Sequence, residues 1–246
     1  LKKIPRQRDI IDRKALFARF TEMAAWSGIG TRNRGEVLVL FKETLAAGNA
    51  EIRRRFEHER VKGADTVRAQ SFLIDQLIRV LYDTAVTYVY PVANPTIGEQ
   101  ISIIATGGYG RGELAPYSDI DLMFLLNYKR TPRTEQVIEY MLYMLWDLGL
   151  KVGHATRSVE EAVKLSHDDL TIRTSLLEAR YLWGDEALYK RFKEKFSADI
   201  EASSGPAFVD AKLAERDERH ERMGDTRYVL EPNVKEGKGA LRDVQT

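Results

Sequence analysis

The sequence predicts an α+β fold in which a small mixed β-sheet is flanked by N-terminal and C-terminal helical segments. Within residues 101–126, two apolar runs separated by a glycine turn predict a pair of strands. Apolar residues at helical spacing dominate residues 9–90, and a charged helical pattern returns after residue 185. We therefore expect a helical subdomain over residues 1–90, a sheet core over 91–184 and a helical segment over 185–246.

Composition restricts the class of protein. Of the 246 residues, 43% are hydrophobic and 30% are charged, so the chain can bury a real core. The formal net charge of +1 argues against broad nucleic-acid binding, and the absence of cysteine excludes disulfides, thiolate zinc sites and thiol catalysis. No apolar run has the length of a membrane span, and the N-terminus lacks the apolar core of a signal peptide. We expect a soluble cytoplasmic protein with neither nucleic acid nor membrane as a partner.

The first 90 residues predict about three helices. Their boundaries are assigned to Gly28, Gly30 and Gly63 as breaks and to Asn33 and Asp65 as N-caps. The arginine run 53–55 lies among glutamates, which is typical of a solvated helix face; a phosphate or docking patch is the alternative.

The segment 101–126, ISIIATGGYGRGELAPYSDIDLMFLL, predicts strand, glycine turn, short helix and strand. Side chains alternate along a strand, so residues i and i+2 share a face with Cα atoms roughly 6.5 Å apart. Asp119 and Asp121 are therefore expected to point the same way. Ile120 and Leu122 are expected to point the other way, into a core.

Later elements complete the sheet and its helices. Thr131 opens a helix that Gly149 ends, residues 151–157 predict a third strand, and residues 180–183 predict a short fourth strand. A helix beginning near Asp185 and a charged helix over 208–223 lead into the closing stretch LEPNVKEGKGALRDVQT.

The acid pair and the glycine turn predict a metal and phosphate site. Two carboxylates on one face suit Mg²⁺ or Mn²⁺, and a pair of such ions clamps an in-line phosphoryl displacement. Gly107 and Gly108 lack Cβ atoms, so the backbone N–H groups of the turn can approach a triphosphate. The helix expected to start near Tyr109 would aim its positive end at the same place.

Other residues near these motifs have two readings each. Arg111 either neutralises phosphate charge or pairs with Glu113, and Ser118 either touches phosphate or caps the turn. The basic residues of the closing stretch either fold over a triphosphate or lie on a surface loop; they are Lys235, Lys238 and Arg242. His154 lies on the third strand, where a structural role is favoured over a role in the site.

The order of the motifs resembles a known family. A Gly-Gly pair, a ten-residue gap and DID on a strand are similar to the signature of the DNA polymerase β-type nucleotidyltransferase superfamily. The longer string GGYGRGELAPYSDIDL, with the closing stretch, resembles the N-terminal part of bacterial PII uridylyltransferase/uridylyl-removing enzymes. The resemblance covers essentially the whole chain, and it favours phosphate contacts for the closing basic residues.

The resemblance implies a metal-dependent transfer of UMP from UTP to a tyrosine of the PII protein, with release of pyrophosphate. Asp119 and Asp121 would hold the metals, and Gly107 and Gly108 would seat the triphosphate. The family enzyme is longer, so we expect this chain to be an N-terminal portion, and its activity when isolated is left open. Two alternatives remain: a protein adenylyltransferase and a non-catalytic nucleotide-responsive module.

One feature departs from the superfamily pattern. The pattern places a third carboxylate on a neighbouring strand, but the expected strand here, KVGHATR, contains none. Glu178 and Glu231 are the candidates in motif-like positions, and the sequence does not choose between them. The identity of a general base stays open for the same reason.

Overall fold

The computed structural model describes residues 4–27, 33–128, 130–202, 205–224, 231 and 233–245. The glycines predicted as breaks at positions 28 and 30 lie outside these residues. The helices are α1 (Gln7–Ile10), α2 (Arg13–Ser27), α3 (Arg34–His58), α4 (Gly63–Thr84), α5 (Gly107–Gly110), α6 (Pro132–Asp147), α7 (Val159–Asp168), α8 (Leu170–Leu177), α9 (Glu186–Ala202), α10 (Gly205–Arg222) and α11 (Leu241–Gln245). A π-helical turn (Ala85–Val89) extends α4, and a 3₁₀ turn (Ile97–Glu99) precedes the first strand.

Four strands form one mixed sheet. They are β1 (Ile101–Ala105), β2 (Ile120–Leu126), β3 (Val152–Ser158) and β4 (Arg180–Gly184), in the spatial order β3-β2-β1-β4. Strand β1 is antiparallel to both β2 and β4, whereas β2 and β3 are parallel. The predicted α+β class and mixed sheet are therefore confirmed.

Helices cover both faces of the sheet, because strand β2 is apolar on both sides. Ile120 and Leu122 join the larger core, which also contains Phe41 of α3 and Leu77 of α4. On the opposite face Met123 joins a second core, formed mainly with α7, α8 and α9. Both faces of β2 beyond Asp121 are therefore buried, as in strands of layered α/β architectures.

Three long helices, α2, α3 and α4, match the three predicted in the N-terminal region, and the four-residue α1 was not predicted; the boundaries agree only in part. Asn33 directly precedes α3, the position expected of an N-cap. Asp65 is not an N-cap, because α4 begins at Gly63 and Asp65 lies within its first turn. An acidic side chain there still interacts favourably with the exposed N–H groups of the helix start.

The three arginines near the end of α3 lie in two different environments. Arg53 and Arg54 lie at the surface in ion pairs with glutamates, as a solvated face predicts. Arg55 is buried at 6% exposure and donates hydrogen bonds to the carbonyl oxygens of Pro5 (2.8 Å) and Arg6 (2.9 Å). For Arg55 the solvated reading is wrong, since its guanidinium satisfies backbone acceptors of the N-terminal segment.

Helix α6 begins where the sequence predicted, with Thr131 as its N-cap. The Thr131 side chain accepts a hydrogen bond from the Thr134 N–H (3.2 Å). Within the described ranges, each helix is too short or too polar to span a lipid bilayer.

Candidate metal and nucleotide site

Asp119 directly precedes strand β2, and Asp121 is the second residue of that strand, on the face opposite Ile120 and Leu122. The two apolar side chains are buried at 1% and 2% exposure, whereas both acids are exposed. Burial of its carboxylate and the neighbouring charge of Asp119 raise the pKa of Asp121, while the charge of Lys235 lowers it. The two carboxylates thus lie close enough to interact electrostatically.

Two glycines make room for the Asp121 carboxylate. Gly107 has φ +57°, and a Cβ atom there would lie 3.2 Å from Asp121 Oδ2. Gly153 pairs with Asp121 in the β2–β3 register, and a Cβ atom at residue 153 would lie 2.7 Å from Asp121 Oδ1. The absence of both side chains leaves the space that the carboxylate occupies.

The glycine turn begins directly beside the acids. The Thr106 N–H donates to the Asp121 carbonyl oxygen (3.0 Å), so the end of β1 is joined to the start of β2. Helix α5 begins at Gly107, not near Tyr109, and is a single turn long. One turn generates little macrodipole, and the contribution of the helix end to phosphate binding stays a prediction. The N–H groups at the start of a helical turn still lack acceptors within it and can bind phosphate oxygens.

Arg111 forms ion pairs on two sides. Its Nε donates to Glu113 Oε2 (3.0 Å), and its Nη1 pairs with a Glu178 carboxylate oxygen. Pairing with Glu113 was one of the two predicted readings, and the second partner was not foreseen because it lies 67 residues away. With two acidic partners, the Arg111 charge is compensated within the protein.

The third carboxylate of the superfamily pattern is not found on strand β3. Beside Asp121 the strand presents Gly153, and Ala155 follows on the same face. Among the described residues, no cluster of three or more His, Cys, Asp or Glu side chains is arranged to hold a metal ion. Glu178 lies beside α5 through its pairing with Arg111, and Glu231 is exposed.

Two further residues considered in the sequence analysis, Ser118 and His154, lie close in sequence to the acids or to Gly153. Ser118 is exposed, and its N–H donates to the Ala115 carbonyl oxygen (3.1 Å) in the turn that precedes Asp119. His154 neighbours Gly153 on β3 and therefore points to the opposite face of the sheet. Its ring packs edge-on against Trp146 at 6.0 Å, which supports the structural reading of this histidine.

The basic residues of the closing stretch have different surroundings. Lys235 is exposed, and its charge acts on Asp121. Arg242 lies on α11, where its Nε is 3.1 Å from Glu236 Oε1. Lys238 is exposed at the surface. Lys235 is thereby linked electrostatically to the acid pair.

Asp243 organises the closing stretch, and the sequence analysis assigned it no role. Its carboxylate accepts a hydrogen bond from the Gly239 N–H (2.6 Å) and contacts Arg219 and His220 of α10. Burial acts to raise the pKa of Asp243, but these three donors outweigh it and lower the pKa to about 2. A sequence signal existed, since Asp243 belongs to the GKGALRD motif, but its partners on α10 are visible only in three dimensions.

Comparison with known proteins gives two family matches and several close relatives. Residues 94–182 match the family described as "Nucleotidyltransferase domain", and residues 207–246 match "GlnD PII-uridylyltransferase". Proteins named bifunctional uridylyltransferase/uridylyl-removing enzyme are 57% identical in Rhodospirillum rubrum, over 244 residues, and 54% identical in Azospirillum brasilense, over 243 residues. Each alignment covers 99% of this chain and 26% of the relative, so the chain spans about a quarter of the length of these proteins.

Proposed function

We propose that the chain is the nucleotidyltransferase part of a bifunctional uridylyltransferase/uridylyl-removing enzyme, because it is 57% and 54% identical to about a quarter of the length of two proteins of that name. In this proposal it transfers UMP from UTP to a tyrosine hydroxyl of the PII protein in the cytoplasm. The transferase core is the region 91–184. The region 1–90 supports it as a helical subdomain, and the region 185–246 is the closing helical segment. The names of the relatives support the substrate and the acceptor, and the site geometry supports the chemistry.

The placement of the Asp121 carboxylate between Gly107 and Gly153, beside Asp119, carries this proposal. Two carboxylates are a sufficient protein contribution for Mg²⁺ or Mn²⁺ when nucleotide phosphates and water supply the remaining oxygen ligands. The two acids therefore fit a divalent metal even without a third carboxylate on β3. When bound, the metal would compensate the charge that develops on the α-phosphoryl group and on the leaving pyrophosphate.

The glycine turn and the basic residues contribute the phosphate contacts in this proposal. Gly107 and Gly108 let their backbone N–H groups approach the β- and γ-phosphates, because no Cβ atom intervenes. Lys235, whose charge already acts on Asp121, would pair with a phosphate oxygen. Ser118, Lys238, Arg242 and Arg111 are auxiliary, and Arg111 would contribute only by exchanging an acidic partner for phosphate.

The transfer itself forms one bond and breaks one bond. At phosphorus, the phenolic oxygen of the acceptor bonds to the α-phosphorus and gives up its proton to solvent, while the bond from that phosphorus to the bridging oxygen breaks and its electron pair leaves with pyrophosphate. Such transfers depend mainly on alignment and charge compensation, so they do not require a strong base near the hydroxyl. In this proposal the two acids, at the start of β2, and the glycine turn, at the end of β1, supply the alignment and the charge compensation.

The experiment compares the full-length protein with its Asp119→Asn and Asp121→Asn variants, using labelled UTP, Mg²⁺ and PII. We expect each substitution to reduce label on PII by at least about 100-fold, a loss typical of removing transition-state charge compensation. Asp65→Asn, an exposed acid in the first turn of α4, is the control and should retain activity. Full transfer by both site variants would refute the roles of the acids.

Two rival activities are separated by the same assay. Label transferred from ATP in preference to UTP would indicate an adenylyltransferase. Tight nucleotide binding without transfer in the full-length wild type would indicate a non-catalytic binding module. Label on PII from UTP alone supports the proposal.

A further inference from the structure

A buried carboxylate on helix α4 contacts the glycine turn on the side away from Asp121. Asp75 is 2% exposed and accepts hydrogen bonds from the Tyr109 hydroxyl (2.8 Å) and from Arg180 Nη1 (2.7 Å) and Nη2 (3.1 Å). Tyr109 belongs to α5 and Arg180 to β4. One carboxylate therefore joins the helical region before the sheet, the glycine turn and an edge strand.

Arg180 extends this connection to the backbone of the turn. Its Nε donates to the Gly110 carbonyl oxygen (3.0 Å), its Nη2 donates to the Tyr109 carbonyl oxygen (3.1 Å), and its guanidinium lies 5.5 Å from the Tyr109 ring centre. The planar fork of arginine fixes several acceptors at once, which a lysine cannot do. The turn is thus held by both its side chain and its main chain.

The Tyr109 hydroxyl is kept as a donor. Tyr109 is buried at 1% exposure, and burial together with the negative charge of Asp75 raises the pKa of its phenol well above the ordinary value. The phenol stays protonated at neutral pH and can therefore donate its hydrogen bond to Asp75.

A second contact from the same helix fixes the far end of the segment. Ser71, one helical turn before Asp75, accepts a hydrogen bond from the Leu114 N–H (3.0 Å) and is fully buried. The segment 107–114 is therefore anchored to α4 at two points. Its other side faces the acids, since the Gly107 Cβ position lies 3.2 Å from Asp121 Oδ2.

We propose that Asp75 is a positioning residue for nucleotide binding, acting through Tyr109 and Arg180 on the glycine turn. It contacts neither the acids nor a phosphate. It sets the distance between the N–H groups of the turn and the Asp119–Asp121 pair, so helix α4 determines the geometry in which a triphosphate is bound. This inference rests on the proposed function of the site.

The test uses Tyr109→Phe in the full-length protein, because this change removes one hydroxyl and leaves the Asp75–Arg180 ion pair intact. The measurements are the Kd for UTP with Mg²⁺ in the absence of PII, kcat and KM for UTP, and the melting temperature. We expect the Kd and KM to rise about fivefold, the factor that corresponds to one lost hydrogen bond. Arg180→Lys, which keeps the charge but loses the fork, should raise both by at least as much.

Trp183→Phe is the matched control. Trp183 Nε1 donates to Asp83 Oδ1 (2.5 Å), so it also joins β4 to a carboxylate of α4, but two helical turns away from Asp75. The control should lower the melting temperature comparably and leave the Kd for UTP unchanged. An unchanged Kd in both Tyr109→Phe and Arg180→Lys, or an equal rise in the control, would overturn the inference. A wild type that binds no UTP would instead refute the proposed function.

Discussion

Asp121 and Gly153 are register partners in the parallel strands β2 and β3, and a Cβ atom on residue 153 would lie 2.7 Å from Asp121 Oδ1. No Cβ atom is tolerated at that separation, so either the carboxylate or the added methyl group must move. The carboxylate is the end of a short side chain and can rotate, whereas the strand backbone cannot shift easily.

Gly153→Ala is therefore expected to displace the Asp121 carboxylate while preserving the fold. Transfer to PII should fall at least about tenfold, since a misplacement of about 1 Å in a catalytic group is costly. The melting temperature should change little. Gly35→Ala on α3 is the control, because a Cβ atom there meets nothing within 4 Å. Unaltered transfer by Gly153→Ala would show that the carboxylate position is not critical.

The two glycines of the turn are expected to differ in the cost of substitution. At Gly107 an alanine is strained by φ +57°, so Gly107→Ala should destabilise the protein by about 1 kcal/mol and weaken UTP binding. At Gly108 the added Cβ atom would make ordinary contact with Arg111 Nη2 at 3.5 Å. Gly108→Ala should keep the stability and still weaken UTP binding. Urea unfolding and UTP titration separate the two effects, and normal UTP affinity in Gly108→Ala would contradict close phosphate approach.

Arg55 is expected to contribute to stability and not to function. Removing it leaves the carbonyl oxygens of Pro5 and Arg6 without this donor and takes from Glu51 one of its two arginine partners, so Arg55→Ala should cost about 3 kcal/mol in free energy of unfolding. Arg53→Ala is the comparison; its side chain is 77% exposed, and it should cost less than about 0.5 kcal/mol. Equal losses measured by urea unfolding would rule out this distinction.

The closing stretch is expected to detach in acid. The pKa of Asp243 is about 2 in the folded protein, below the ordinary value of about 3.9 in an unfolded chain. Its stabilising contribution is therefore complete above about pH 4 and is lost as the pH falls towards 2. The difference in unfolding free energy between wild type and Asp243→Asn should be largest near pH 6 and smaller near pH 3. A difference that grows on acidification would be inconsistent with the assigned contacts.

Local sequence patterns were sufficient to predict the elements and the acid pair. Strand alternation, which depends on neighbouring residues alone, correctly predicted that Ile120 and Leu122 are buried and Asp121 is exposed. The same is true of the Thr131 cap and of the fourth strand, which the structure places at Arg180–Gly184. The roles of the acids and the glycines in metal and nucleotide binding stay predictions.

Contacts between distant residues could not be predicted in this way. The space that Gly153 leaves for Asp121 depends on the register of two strands, and the Asp75–Arg180 pair joins residues 105 positions apart. The sequence pattern at 53–55 identified three charged residues. It did not show that Arg55 is buried and donates hydrogen bonds to distant carbonyl oxygens. The start of α5 was expected near Tyr109 and lies at Gly107, because apolar spacing does not locate the ends of a four-residue helix.

Strand β2 has hydrogen-bonded neighbours on both edges and packed helices on both faces. Backbone amides in such a position exchange with solvent mainly through global unfolding. Asp121 is part of this strand, so the position of its backbone is already fixed before any ligand binds. Little backbone freedom then remains to be lost at Asp121 on binding, and that part of the entropic cost of assembling the site is met during folding.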